Sequence, residues 1–134
     1  MIIIKVFLSG AIKHINDYGE SWRYTAEETL KDNGIRVFSP NKFYNYNDKS
    51  SFTIKECRKL FFNQLRKSDI VLVNLNYSDS SVGTGMEISL AHELKIPVVG
   101  FGNTETYDWI VDCCDVILNS LEEALDYIKS MYCF

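Results

Sequence analysis

Three runs rich in Ile, Val and Leu punctuate the chain: "IIIKVFL" at Ile2–Leu8, "IVLVNL" at Ile70–Leu75 and "PVVGFG" at Pro97–Gly102. Each is nearly continuous in apolar residues instead of alternating, which predicts strands covered on both faces, as in a parallel sheet. Shorter runs at Arg36–Ser39 and Asp115–Leu118 predict two more strands. Between them apolar positions recur at helical spacing. One helix carries Trp22, Ala26, Thr29 and Leu30 and stops at Gly34; a second carries Ile54, Cys57, Phe61 and Leu65. A third is expected to follow the turn Gly83-Thr84-Gly85 and to end before Pro97. The last follows Asn119, with Leu121, Ala124, Leu125 and Ile128 on one side.

Strand and helix therefore alternate. Right-handed crossovers between parallel strands then imply an α/β fold: a doubly wound, five-stranded parallel sheet in the order 2-1-3-4-5 with helices on both faces. Ligands of such sheets bind beyond the carboxyl ends of the strands, where the order reverses. The segments that land there are "SGAIKH", "SPNKFYNYND", "NYSDSSVGTGME" and "GNTETYDW".

Length and composition narrow the picture. At 134 residues, 46% hydrophobic and 24% charged, residues 1–134 suit one globular domain. The apolar opening is too short for a membrane span, has no basic segment before it and contains Lys5, so it is expected to be a strand and the protein cytoplasmic. Cys57, Cys113, Cys114 and Cys133 lack the spacing of a zinc knuckle and are expected to be reduced thiols, with no metal or cofactor bound. A net charge of -4 without a basic cluster argues against long nucleic acid as a partner.

Candidate chemistry centres on Glu87. Thr84-Gly-Met-Glu87 has the spacing of a capping box, which would make the glutamate a helix cap and nothing more. The same spacing recurs at Thr53–Glu56 and Ser120–Glu123, where nothing suggests chemistry. Against that reading, Gly83 and Gly85 would let a ligand approach backbone amides, and a helix N-terminus favours an anion. The same positive end is expected to keep Glu87 ionised, the state a carboxylate nucleophile requires.

The segments "VFLSGAI", "SWR", "GIRVFSPNKFY", "SDIVLVNL", "SVGTGMEISLA", "KIPVV" and "SLEEALDYI" together resemble the nucleoside 2-deoxyribosyltransferases and the related nucleotide N-glycosidases. The resemblance implies an enzyme whose glutamate after the glycine-rich segment, here Glu87, attacks the anomeric carbon, so that the base leaves and a covalent glycosyl-enzyme forms. Another base or water then resolves it. It also implies substrate contacts at Ser9, Gly10 and Ala11, no cofactor, a nucleoside or nucleotide and a free base as small-molecule partners, and a homo-oligomer.

Two departures stand out. The family has a second aspartate near the nucleophile, and by position this chain has Phe61, eight residues before Asp69. Asn63 is turned about 200° away on the same helix, and Asp69 belongs to the amino end of its strand. The transferases also often carry an aspartate six residues before the nucleophile, where this chain has Ser81. A hydroxyl there, with Ser80 and Ser9, suits the 5'-phosphate of a nucleotide; a plain serine-rich turn is the alternative.

Further candidates for holding the substrate are Thr84 with its flanking glycines, and His14, Tyr18 and Trp22, whose rings would stack on a base or simply pack. "NKFYNYND" mixes aromatics with amides and suits either a base-reading lid or a surface loop. His92 is expected on the far face of the helix from Glu87, and Tyr107 and Trp109 near a subunit boundary. Three functions remain: an N-glycosidic-bond enzyme, a nucleotide-binding module with little catalysis, and an interaction protein in which Glu87 is only a cap.

Overall fold

A computed structural model describes residues 3–13, 15–43, 52–103, 105 and 108–132. Five parallel strands stand in the order β2-β1-β3-β4-β5: β1 Lys5–Gly10, β2 Arg36–Phe38, β3 Ile70–Asn74, β4 Val98–Phe101 and β5 Val116–Leu118. The helices are α1 Glu20–Lys31, α2 Ile54–Arg66, α3 Val82–Glu93, α4 Asp108–Asp112 and α5 Leu121–Tyr132. This is the flavodoxin-like arrangement that the alternation of patterns predicts.

Successive strand side chains point to opposite faces, and that alternation divides the core in two. Val6, Leu8, Ile70, Leu72, Val99 and Phe101 pack on one face against Ala26 and Leu30 of α1 and Ala124, Leu125 and Ile128 of α5. Phe7, Val71, Val73 and Val98 pack on the other against Leu65 of α2 and Ile88 and Ala91 of α3. Ser9 follows Phe7 by two residues and is directed to this second face, fully buried beneath α3.

Thr53 and Glu56 form a complete capping box at the start of α2, as their spacing predicts. Two expectations require correction. The third helix begins at Val82, with Ser81 as its N-cap, so Gly83, Thr84 and Gly85 belong to its first turns and are not a turn before it. A Cβ placed on Gly83 or Gly85 would meet nothing within 4 Å, so neither glycine is demanded by crowding within this chain. The sequence also gave no sign of α4, whose five residues are too few to show a period.

Candidate active site

Glu87 lies in the second turn of α3, on the side that faces the sheet, and is 9% exposed. It does not cap its own helix. Ser81 takes that role, accepting the Thr84 amide at 3.3 Å, while its hydroxyl lies 2.7 Å from that of Thr84. The Glu87 side chain instead reaches β1, where the Ser9 hydroxyl donates to Oε1 at 2.8 Å. Burial works against the expected ionised state. Burial pushes the Glu87 carboxyl up to about 7, against the opposing pull of the Ser9 hydrogen bond and the positive charge of Arg23. A helix dipole acts mainly within the first turn, and Glu87 stands beyond it.

Arg23 supplies that charge from the opposite side of the sheet. It is 2% exposed, and its guanidinium donates to the Gly10 carbonyl at 2.9 Å and the Gly19 carbonyl at 3.2 Å, closing the loop between β1 and α1. The group also lies 4.8 Å from the Trp22 ring centroid, and its Nε has no partner. Desolvation lowers its pKa to about 10, which leaves it charged at neutral pH. Gly19 makes the approach possible: its φ is +72°, and a Cβ there would sit 2.5 Å from the guanidinium and 2.9 Å from the Ala11 carbonyl. Arg23 and Gly19 escaped the sequence reading. Arg23 does carry a readable sign, since it occupies the apolar stripe of α1 one turn before Ala26.

Glu87 opens into a cleft of about 670 Å³ between α2 and α3. Its lining combines the rings of Phe61 and Phe62 and the Met86 side chain with two cations, Lys13 and Arg58. Among the described lining residues, Glu87 is the sole carboxylate. Phe61 belongs to an aromatic cluster, edge-on to Phe38 with centroids 5.9 Å apart, and Phe38 in turn stacks on Phe7 and Phe43. Among the described residues, aromatic rings and no second acid line the cleft with the carboxylate.

The sequence of residues 6–121 matches the family described as nucleoside 2-deoxyribosyltransferase. The chain belongs to that family. A 2-deoxyribosyltransferase from Bacillus psychrosaccharolyticus is 26% identical, with a TM-score of 0.66 over 92% of this chain and 91% of that one. Two more distant structures share the fold. A Leishmania mexicana 2-deoxyribosyltransferase is 16% identical, with a TM-score of 0.74 over 96% of this chain and 99% of that one. A Clostridium botulinum CMP N-glycosidase is 18% identical, with a TM-score of 0.65 over 94% and 98%. No curated protein sequence matches the chain.

For this deoxyribosyltransferase-family chain, the expected site residues do not converge on one cleft. Gly83 joins Glu87 in the cleft between α2 and α3, with Ser9 buried behind it. Ala11 and Trp22 line a separate, more polar cleft of about 570 Å³ with Asn74, Asn76 and Asn103 at the carboxyl ends of β3 and β4. Gly10 lies between, and a Cβ on it would come within 3.0 Å of Trp22 and 3.2 Å of Asn74. Trp22 packs edge-on to Phe101, centroids 5.5 Å apart, which gives its ring a core role. Tyr18 holds a left-handed turn, φ 55°, and its carbonyl accepts from Asn41 at 2.8 Å. Ser81 and Gly85 line the neighbouring surface of α3.

Asp69 is structural as expected, its carboxylate accepting the Lys5 amide at 2.8 Å, and Asn63 and His92 are solvent-exposed. Trp109 is 78% exposed. His14, Tyr107 and the part of "NKFYNYND" beyond Phe43 lie outside the described residues. Among those described, no group of side chains could hold a metal ion, and no helix is long and apolar enough to cross a membrane.

Proposed function

We infer that the protein cleaves or transfers at the N-glycosidic bond of a 2'-deoxynucleoside or its 5'-monophosphate, with the Glu87 carboxylate attacking the anomeric carbon. The observation that carries this is the condition of Glu87. A buried acid that does not cap its helix, is held by Ser9 and faces an open cleft has no structural task to explain it. Ionised Glu87 would form an ester with C1' while the base departs, and a second base or water would then displace the sugar. Ser9 fixes the attacking oxygen, which converts binding into alignment. Family membership and the deoxyribosyltransferase and N-glycosidase neighbours support this class of chemistry.

The first turn of α3 suits the anionic end of a nucleotide. Its Thr84 and Gly85 amides are engaged by Ser81, which leaves those of Val82 and Gly83 for a ligand. A small-molecule nucleoside or nucleotide partner, a cytoplasmic location and a homo-oligomer complete the reading; light scattering checks the last.

Incubating the protein with 2'-deoxynucleosides and their 5'-monophosphates, with and without a second free base, tests it by chromatography. Base release or exchange is expected from the wild type and not from Glu87→Ala. Equal release by both would refute the role of Glu87. Phe61 favours one competing reading, a nucleotide-binding module without turnover, and binding of the same compounds with no product would select it.

A further inference from the structure

The family's second acid is replaced by Phe61, yet a departing base must still shed negative charge. Three observations bear on how. Arg58 stands one turn before Phe61 on the same face of α2, and Lys13 projects from the loop after β1; both line the cleft with Glu87. Both are exposed, and neither is ion-paired to a described carboxylate; the ion pairs among described residues are Lys42–Glu27 and Lys129–Asp126. Phe61, Phe62 and Met86 line the same cleft, and apolar walls weaken the screening of a charge placed against them. Among the described residues the cleft therefore holds one anion, which the reaction neutralises, and two cations in no ion pair.

We propose that Lys13 and Arg58 replace the absent acid by stabilising the departing base as an anion. The proposal rests on the glycosidic reading of Glu87. In the step, a Glu87 oxygen forms a bond to C1' and the C1'–N bond breaks with its electron pair passing to the ring nitrogen. One negative charge thus moves from Glu87 to the base, where the ammonium and guanidinium meet it; the base takes a proton from water after release. An arginine does not give up its proton at neutral pH, so this help is electrostatic and not general-acid catalysis. The substrates favoured are those whose bases are stable as anions.

The test compares wild type, Lys13→Ala, Arg58→Ala and the double variant on paired 2'-deoxynucleosides and their 5'-monophosphates: uracil against 5-fluorouracil, and guanine against 7-methylguanine. The second base of each pair leaves more readily, and 7-methylguanine leaves neutral. Both positions are exposed, so folding is expected to survive and circular dichroism confirms it. The double variant is expected to lose about 100-fold in kcat on the first base of each pair. On the second base the loss is expected to be at least tenfold smaller. An equal loss on both members, or no loss, overturns the proposal while leaving Glu87's role intact. A loss confined to KM for the monophosphates also overturns it, since the cations would then be a phosphate subsite. Absence of base release by the wild type from every compound overturns the glycosidic reading and this proposal with it.

Discussion

Replacing Glu87 with Gln should make the protein more stable in alkali, a result opposite to that expected for a helix cap. Burial holds the Glu87 carboxyl at about 7 in the folded chain against an ordinary value of 4.5. Between those values the native state keeps a proton that the unfolded chain releases, so the stability contributed by this group falls as pH rises from 4.5 to 7. Well above 7 the accumulated cost is about 3 kcal/mol, and below 4.5 it vanishes. Glutamine keeps an oxygen to accept from Ser9 at nearly the same volume, but leaves an amide N–H group short of a partner, at a cost of about 1 kcal/mol. The net expectation for Glu87→Gln at pH 8.5 is about 2 kcal/mol of added stability, or about 7 °C in Tm for a domain of this size. At pH 4.5 the variant should be equal to the wild type or slightly weaker. Urea unfolding of both proteins at several pH values is the assay. A variant less stable at pH 8.5, or a difference that does not change with pH, would refute the claim that burial sets the state of Glu87.

Base release should show an acid limb in kcat/KM near pH 7, falling about tenfold per pH unit below it, because only ionised Glu87 attacks; a limb near 4.5 would show that the free enzyme's carboxylate is not desolvated. Arg23→Met should cost about 3 kcal/mol or more in urea unfolding at pH 7, since it leaves the Gly10 and Gly19 carbonyls without their charged donor, and should move that acid limb upward as the positive charge disappears. An unchanged limb would mean that Arg23 acts on the loop alone. Gly19→Ala should cost about 1 to 3 kcal/mol, because alanine strains at φ +72° and its methyl meets the guanidinium; guanidinium chloride unfolding measures this.

The sheet was legible because buried parallel strands leave a signal that needs no tertiary context: unbroken runs such as Ile70–Asn74 bounded by polar turns. The α2 cap was legible for a similar reason, since Thr53 and Glu56 act on amides a few residues away. At α3 the same spacing forms no capping box through Glu87. Ser81 captured the cap, and the sequence could not show that Ser9, 78 residues distant, would claim the Glu87 carboxylate. The burial that raises the Glu87 carboxyl was illegible for a related reason: a dipole is a local property of the helix, whereas burial depends on how β1 packs beneath it. The importance of Arg23 was visible only as a fault in the pattern, an arginine among Trp22, Ala26 and Leu30.

The pleat of β1 connects these groups. Ser9 faces α3 and carries the hydrogen bond to Glu87, while the next residue, Gly10, presents its carbonyl to Arg23 under α1. Adjacent residues of one central strand therefore join an acid on one side of the sheet to a buried cation on the other, without a direct ion pair. A direct pair would pull the carboxyl well down, hold it ionised and weaken it as a nucleophile. Burial, opposed only by a hydroxyl contact and a cation further off, leaves it near 7, where ionised and protonated forms exchange readily at neutral pH. Phe61 adds an apolar ring to the lining of the same cleft. Among the described residues, the lining of the cleft thus holds a single carboxylate, Glu87, and two basic side chains, Lys13 and Arg58.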